Sequence, residues 1–182
     1  MHVGLYIKWN KGSLSSQGNV LGDELHGESM CRSLRNVRGI QSAELYAPNC
    51  LPTGWLDTMI YLNDTEPNSN WARKHILYMQ NAYGEGSDKV LNAFQNVGYD
   101  GYAFISKRLL DLHVQDGFSG IFLPFGVDLQ TFYPRPVVKE YEFDVVYIGN
   151  DIKGEYRTSQ YLLPAARYNF GLFGNWKIPK HR

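Results

Sequence analysis

Several short groups of residues carry side chains suited to chemistry on a polar small molecule. The run Lys8-Trp9-Asn10-Lys11-Gly12-Ser13 follows the first apolar segment and opens a long polar loop. It can wrap a substrate, with the free N–H groups of the next helix aimed at an anion or a hydroxyl. Asp23, Glu24, His26 and Glu28 then crowd one helical start, where Asp23 or His26 is a candidate general base. The same acidic residues equally serve to complement the positive end of a helix dipole. Asn63 with Asp64, Gln80 with Asn81, and Ser106 with Lys107 each follow a further apolar run. Together with Asn10 and Gly12 they offer the paired donors and acceptors that sugar or ribose hydroxyls require, although they are also turn formers and caps.

What these groups lack also narrows the chemistry. The first loop is not the GxGxxG of a dinucleotide site, and Gly84-Glu85-Gly86 is only a lone GxG. The histidines show no ligand spacing, and neither HExxH nor a paired-carboxylate signature occurs, so no metal site is expected. The 18 basic and 18 acidic residues cancel, which argues against a phosphate-backbone footprint and so against nucleic acid as main partner. Cys31 and Cys50 read as free thiols of a reducing compartment. No signal-like leader and no run near the roughly 18 apolar residues of a span is visible, so the expectation is a cytoplasmic chain without a membrane span.

The elements that would position these residues follow from hydrophobic patterning. Apolar runs begin at Val3, Ala43, Thr58, His75, Tyr102, Ile121, Asp144 and Phe170, each bounded by breakers. Most are continuous rather than alternating, as in strands covered on both faces. A helix is predicted from an Asn19 cap to about Val37, with Leu21, Leu25, Met30, Leu34 and Val37 as its buried stripe and Gly39 as its stop. A second runs from Ser87 toward Val97 and ends at Gly98. A third, capped by Ser106, carries Leu109, Leu110 and Val114 and ends at Gly117. This alternation predicts an α/β fold with a Rossmann-like parallel sheet flanked by helices. The stretches Pro48 to Leu56 and Pro67 to Lys74 leave little room for helical crossovers.

The 182 residues suit one domain and an appendage: residues 1–130, a proline-marked linker over 131–142, and a partial second βαβ unit over 143–182 with a helix from Thr158 to Tyr168. One such unit cannot bury both its faces. It is expected to pack on the first domain, to associate with another copy or partner chain, or to be the beginning of a larger domain.

The segment IFLPFGVDLQTFYPRP from Ile121, followed by FDVVYIGNDIKGEYR from Phe143, resembles the interdomain junction of GT-B fold glycosyltransferases of the family 4 and spore-maturation-protein-like types. The matching positions are Pro124, Gly126, Val127, Asp128, Phe132 and Pro134, supported by Ser106 and by the ending Gly171 to Trp176. The resemblance implies an acceptor-binding first domain, the start of a nucleotide-sugar donor domain, and sugar transfer between them, with no cofactor besides the donor substrate. It directs attention to Asn150, Lys153 and Arg157 as the residues for the donor diphosphate, where the family has Gly-Arg and Lys-Gly. Asp23 or His26 is needed as a base only if the reaction inverts the anomeric centre. A noncatalytic Rossmann-like binding or assembly module, and a sugar-nucleotide epimerase of the same build, are the alternatives.

Overall fold

A computed structural model of the chain describes residues 1–15, 21–62, 65–80, 87–149, 159–174 and 176. It divides into two compact units, Met1–Asp128 and Leu129–Arg182.

The first unit is an α/β sandwich around one parallel sheet of six strands: β1 (His2–Tyr6), β2 (Ser42–Tyr46), β3 (Leu56–Tyr61), β4 (Ala72–Met79), β5 (Gly101–Phe104) and β6 (Ile121–Phe122), in the order β2-β1-β3-β4-β5-β6. β1 pairs with both β2 and β3, so that Val3 lies beside Ala43 on one side and Thr58 on the other. The helices are α1 (Gly22–Leu34), α2 (Ser87–Phe94) and α3 (Lys107–Gln115). One sheet face buries Val3, Leu5, Ile7, Leu45, Leu62, Tyr78 and Ala103 with Cys31 of α1. The opposite face buries Met59, Tyr61, Leu77, Met79, Tyr102 and Phe104 with Leu91 of α2 and Leu109 of α3. Coverage on both faces is why the strands read as continuous apolar runs. The two short connections, 47–55 and 62–71, join parallel strands with no helix among their described residues; the first begins in a tight turn closed by reciprocal Ala47 and Cys50 backbone bonds of 3.0 and 2.9 Å.

Helix α1 differs from its expected form. Its N-cap is Leu21 with no side-chain cap, Asn19 lies outside the described residues, and it ends at Leu34, five residues before Gly39. Its buried positions are Glu24, Gly27 and Cys31, while Leu25 and Val37 are exposed. Gly27 sets this phase: a Cβ there would stand 2.6 Å from Leu45 Cδ1 and 3.3 Å from Leu62, so the absent side chain lets the helix backbone approach β2 and β3. Helix α3 matches its predicted bounds. Ser106 Oγ accepts from the Leu109 N–H at 3.4 Å, and Gly117 follows with φ of 89°, a left-handed conformation that glycine adopts without strain. Its buried stripe uses Leu109 and His113, and Val114 faces solvent.

The second unit contains a parallel pair, β7 (Val145–Ile148) and β8 (Phe170–Phe173). A helical turn at 159–161 and a 3-10 turn at Leu163–Arg167 lie where one continuous helix from Thr158 was predicted. Pro164 lies in the first turn of that 3-10 segment, and its missing N–H and fixed φ disfavour continuing a preceding helix through it.

Candidate functional site

All six strands of the first unit point the same way, so the residues after each strand gather along one rim. The chain leaves β1 through α1 on one face, and the connection from β3 packs Trp71 against Tyr6 on the other. Such a reversal at adjacent strands opens a crevice at their carboxyl ends, the usual ligand position in open α/β sheets.

The loop after β1 is bracketed rather than loose. The Gly12 N–H donates to Glu24 Oε1 at 2.9 Å, and the Ser13 N–H and Oγ donate to Glu24 Oε2 at 2.7 and 2.5 Å. Ser13 Oγ in turn accepts from the Leu21 N–H at 2.8 Å. On the other side, Asn49 accepts from the Lys11 N–H and donates to the Lys11 carbonyl, both at 2.8 Å, while Lys11 Nζ pairs with Glu28 at 2.6 Å. Burial alone would raise the Glu24 carboxyl. The bonds from Ser13 and Gly12 and the nearby Lys11 charge outweigh it and hold the carboxyl below its ordinary value. An incoming phosphate would have to displace this carboxylate from the loop N–H groups and tolerate its charge.

Beyond the bracket, His26 meets two aromatic rings on the α1 side of the sheet. His26 is half-buried, with the Phe125 ring edge-on at 5.0 Å and the Tyr78 ring at 6.4 Å. Its Nε2 is shut from solvent without a hydrogen-bond partner. Burial lowers the His26 pKa, and the charge of Asp23 partly opposes the shift. Tyr78 crosses the small Ala103 and donates its hydroxyl to the Leu123 carbonyl at 2.9 Å. Two residues on from Tyr78, strand alternation brings Gln80 to the same face; it is 8% exposed, and its Nε2 also lacks a partner. Orphaned buried polar atoms are uncommon because each forfeits its hydration. His26 and Gln80 each leave one such atom, and an added hydroxyl would be stabilised at either.

Of the residues singled out in the sequence, Asp23 and His26 occupy the first turns of α1, three residues apart. Gly12 is committed to Glu24, Asn10 is exposed beside the bracketed loop, and Ser106 caps α3. Asn63, Asp64, Asn81, Asn150, Lys153 and Arg157 lie outside the described residues. Glu24 and Gln80 stand among the polar groups singled out in the sequence, whereas Phe125 does not. Gln80 directly follows an apolar run and carried a readable signal; Glu24 and Phe125 acquire their partners only in three dimensions. Among the described residues, no three His, Cys, Asp or Glu side chains converge to hold a metal ion. No helix among the described residues is long and apolar enough to cross a membrane. Cys31 is buried, which pushes its thiol up to about 12, and Cys50 is exposed.

No family model matches the chain, and comparison with curated proteins and with solved structures likewise finds no match.

Proposed function

We propose that residues 1–128 form the acceptor-side unit of a nucleotide-sugar-dependent glycosyltransferase of the GT-B build, with the β7–β8 unit opening the donor side. The observation that carries this reading is the presence of two buried, unpartnered side-chain nitrogens, on Gln80 and on His26, the second beside the exposed Phe125 ring. An aromatic face with amide and imidazole groups suits a sugar ring, which offers C–H surface and hydroxyls at once. The Glu24 bracket supports a neutral ligand here, because it occupies the N–H groups an anion would use. The donor diphosphate then falls to the second unit, with Asn150, Lys153 and Arg157 as its candidate ligands.

In an inverting reaction, neutral His26 accepts the proton of the acceptor hydroxyl at Nε2 while the hydroxyl oxygen attacks the anomeric carbon. The bond to the nucleoside diphosphate breaks and that group leaves with the electron pair. Asp23 favours the resulting imidazolium, in keeping with its opposing effect on the His26 pKa. A retaining reaction requires no such base, and His26 would then only hold the hydroxyl.

The test is titration of the chain with UDP-, GDP- and dTDP-sugars and with a saccharide panel, followed by product analysis. Saccharide binding that weakens in Gln80→Leu, with transfer lost in His26→Ala, supports the reading. Absence of binding to every saccharide and every nucleotide sugar overturns it. A noncatalytic saccharide-binding module is the second reading, favoured by the closed Glu24 bracket; it predicts the same saccharide binding without product.

A further inference from the structure

The sheet face opposite α1 carries a run of aromatic rings that the candidate site does not use. Trp71, half-buried on the connection into β4, has its ring centroid 5.0 Å from that of buried Tyr6, and Tyr6 lies 5.9 Å from the fully buried Tyr61. The three rings are thus in contact from the edge of the core to its interior. Tyr61 Oη accepts from the Asn68 N–H at 3.0 Å and stands 3.1 Å from Nδ1 of His75, a buried imidazole on β4. With the Asn68 N–H already on the oxygen, the hydroxyl hydrogen lies along the line to Nδ1, and His75 is the tautomer protonated at Nε2. Farther along the run, Tyr99, 5.7 Å from Tyr61, donates to the Thr65 carbonyl, and Tyr102 donates to the Phe94 and Gln95 carbonyls at 3.0 and 2.9 Å. A backbone carbonyl does not take up a proton at neutral pH, whereas an imidazole nitrogen does. The Asp100 carboxylate accepts the His75 backbone N–H at 2.7 Å, so a counter-charge lies close to any imidazolium formed there.

We propose that Trp71, Tyr6, Tyr61 and His75 form a proton-coupled electron relay, by which an oxidising equivalent taken up at Trp71 from an oxygen-centred radical comes to rest as a neutral radical on Tyr61. The oxidant removes one electron from the Trp71 indole and leaves a radical cation. Tyr61 then gives one electron to that indole across the Tyr6 ring, while its phenolic proton passes to His75 Nδ1. The indole is restored, and the products are a neutral tyrosyl radical and an imidazolium. A phenol is oxidised readily only when its proton has a base to go to, because the phenol radical cation is a strong acid. Tyr61 meets that condition through His75. Its full burial keeps the radical from coupling to a second phenol at the surface. A one-electron reductant of the enediolate class returns the electron, and the proton goes back from His75 to the Tyr61 oxygen. The relay lies on the opposite sheet face from His26 and does not rest on the sugar-transfer reading.

Oxidation of the folded chain by photogenerated ruthenium(III) tris-bipyridine, followed by freeze-quench EPR on protein with isotopically labelled histidine, tests it. The relay predicts a tyrosyl radical with hyperfine coupling to an imidazole nitrogen, formed more slowly in heavy water. Radicals on the exposed Trp9 and Trp55 are tryptophanyl in spectrum and lack that coupling, which sets them apart. Tyr61→Phe keeps the ring and should lose the coupled signal. Trp71→Phe should slow its formation severalfold. A wild-type radical without imidazole coupling overturns the proposal, as does a coupled signal that survives Tyr61→Phe or a formation rate unchanged in Trp71→Phe. If Tyr61→Phe loses the fold, as read from its urea midpoint, the wild-type coupling and the Trp71→Phe rate decide by the same criteria.

Discussion

Replacing Glu24 by Gln keeps the side-chain volume but removes the charge and turns one accepting oxygen into an NH2 donor, which makes it the sharpest probe of the bracket behind the first loop. The carboxylate accepts three bonds, from the Gly12 N–H, the Ser13 N–H and Ser13 Oγ. A bond to a charged acceptor contributes about 1.5 to 3 kcal/mol and a neutral one about 0.5 to 1.5, so losing the charge costs roughly 1 kcal/mol per bond. With the amide oxygen in the Oε2 place, the two Ser13 bonds weaken and the Gly12 N–H loses its acceptor at about 1.5 to 3 kcal/mol, and relief from burying a charge at a site only 2% exposed returns part of the sum, leaving a net loss of about 2 to 3 kcal/mol. The sign with pH follows from the lowered folded-state pKa. The stability from ionised Glu24 is fully present above the ordinary value of 4.5 and is lost as pH falls through the folded value. Urea unfolding should therefore give a lower midpoint with unchanged slope for Glu24→Gln at neutral pH, and the wild-type and variant stabilities should converge in acid. A double-mutant cycle with Ser13→Ala should give a coupling of about 1 kcal/mol or more. A neutral-pH difference under about 0.5 kcal/mol, or strictly additive effects, would refute the bracket as the element that fixes this loop.

Other substitutions test the packing around it. Gly27→Ala places a Cβ 2.6 Å from Leu45 Cδ1 and should destabilise by about 1 kcal/mol net, overpacking outweighing the propensity gain, as read from the urea midpoint. Gly22→Ala on the same helix meets nothing within 4 Å and should stabilise by a few tenths to about 1 kcal/mol, so the two alanines carry opposite signs. Burial lowers the pKa of both His26 and His113, so the unfolded chain binds more protons and stability should decline as pH falls through and below the ordinary histidine value of 6.5. His113→Leu should flatten part of that decline in pH-dependent urea unfolding. Tyr78→Phe removes the donor to the Leu123 carbonyl and should cost about 1 kcal/mol, with faster amide exchange at Leu123.

The amino-acid order determined which segments become strands, because runs such as His75 to Met79 are apolar on both alternating faces and cannot be satisfied half-exposed. It also determined where α3 starts and stops, since Ser106 and Gly117 act through bonds and dihedrals within a few residues of themselves. Tertiary structure alone decided the phase of α1. A charged Glu24 takes a buried position because loop groups 11 and 12 residues earlier solvate it, while Leu25, apolar in pattern, faces water. The strand order, the meeting of His26 with Phe125, and the Arg32–Asp128 pair 96 positions apart were likewise invisible locally. Periodicity reports which side of an element is apolar. Which distant group turns toward it is settled only when the sheet brings their carboxyl ends to a common rim.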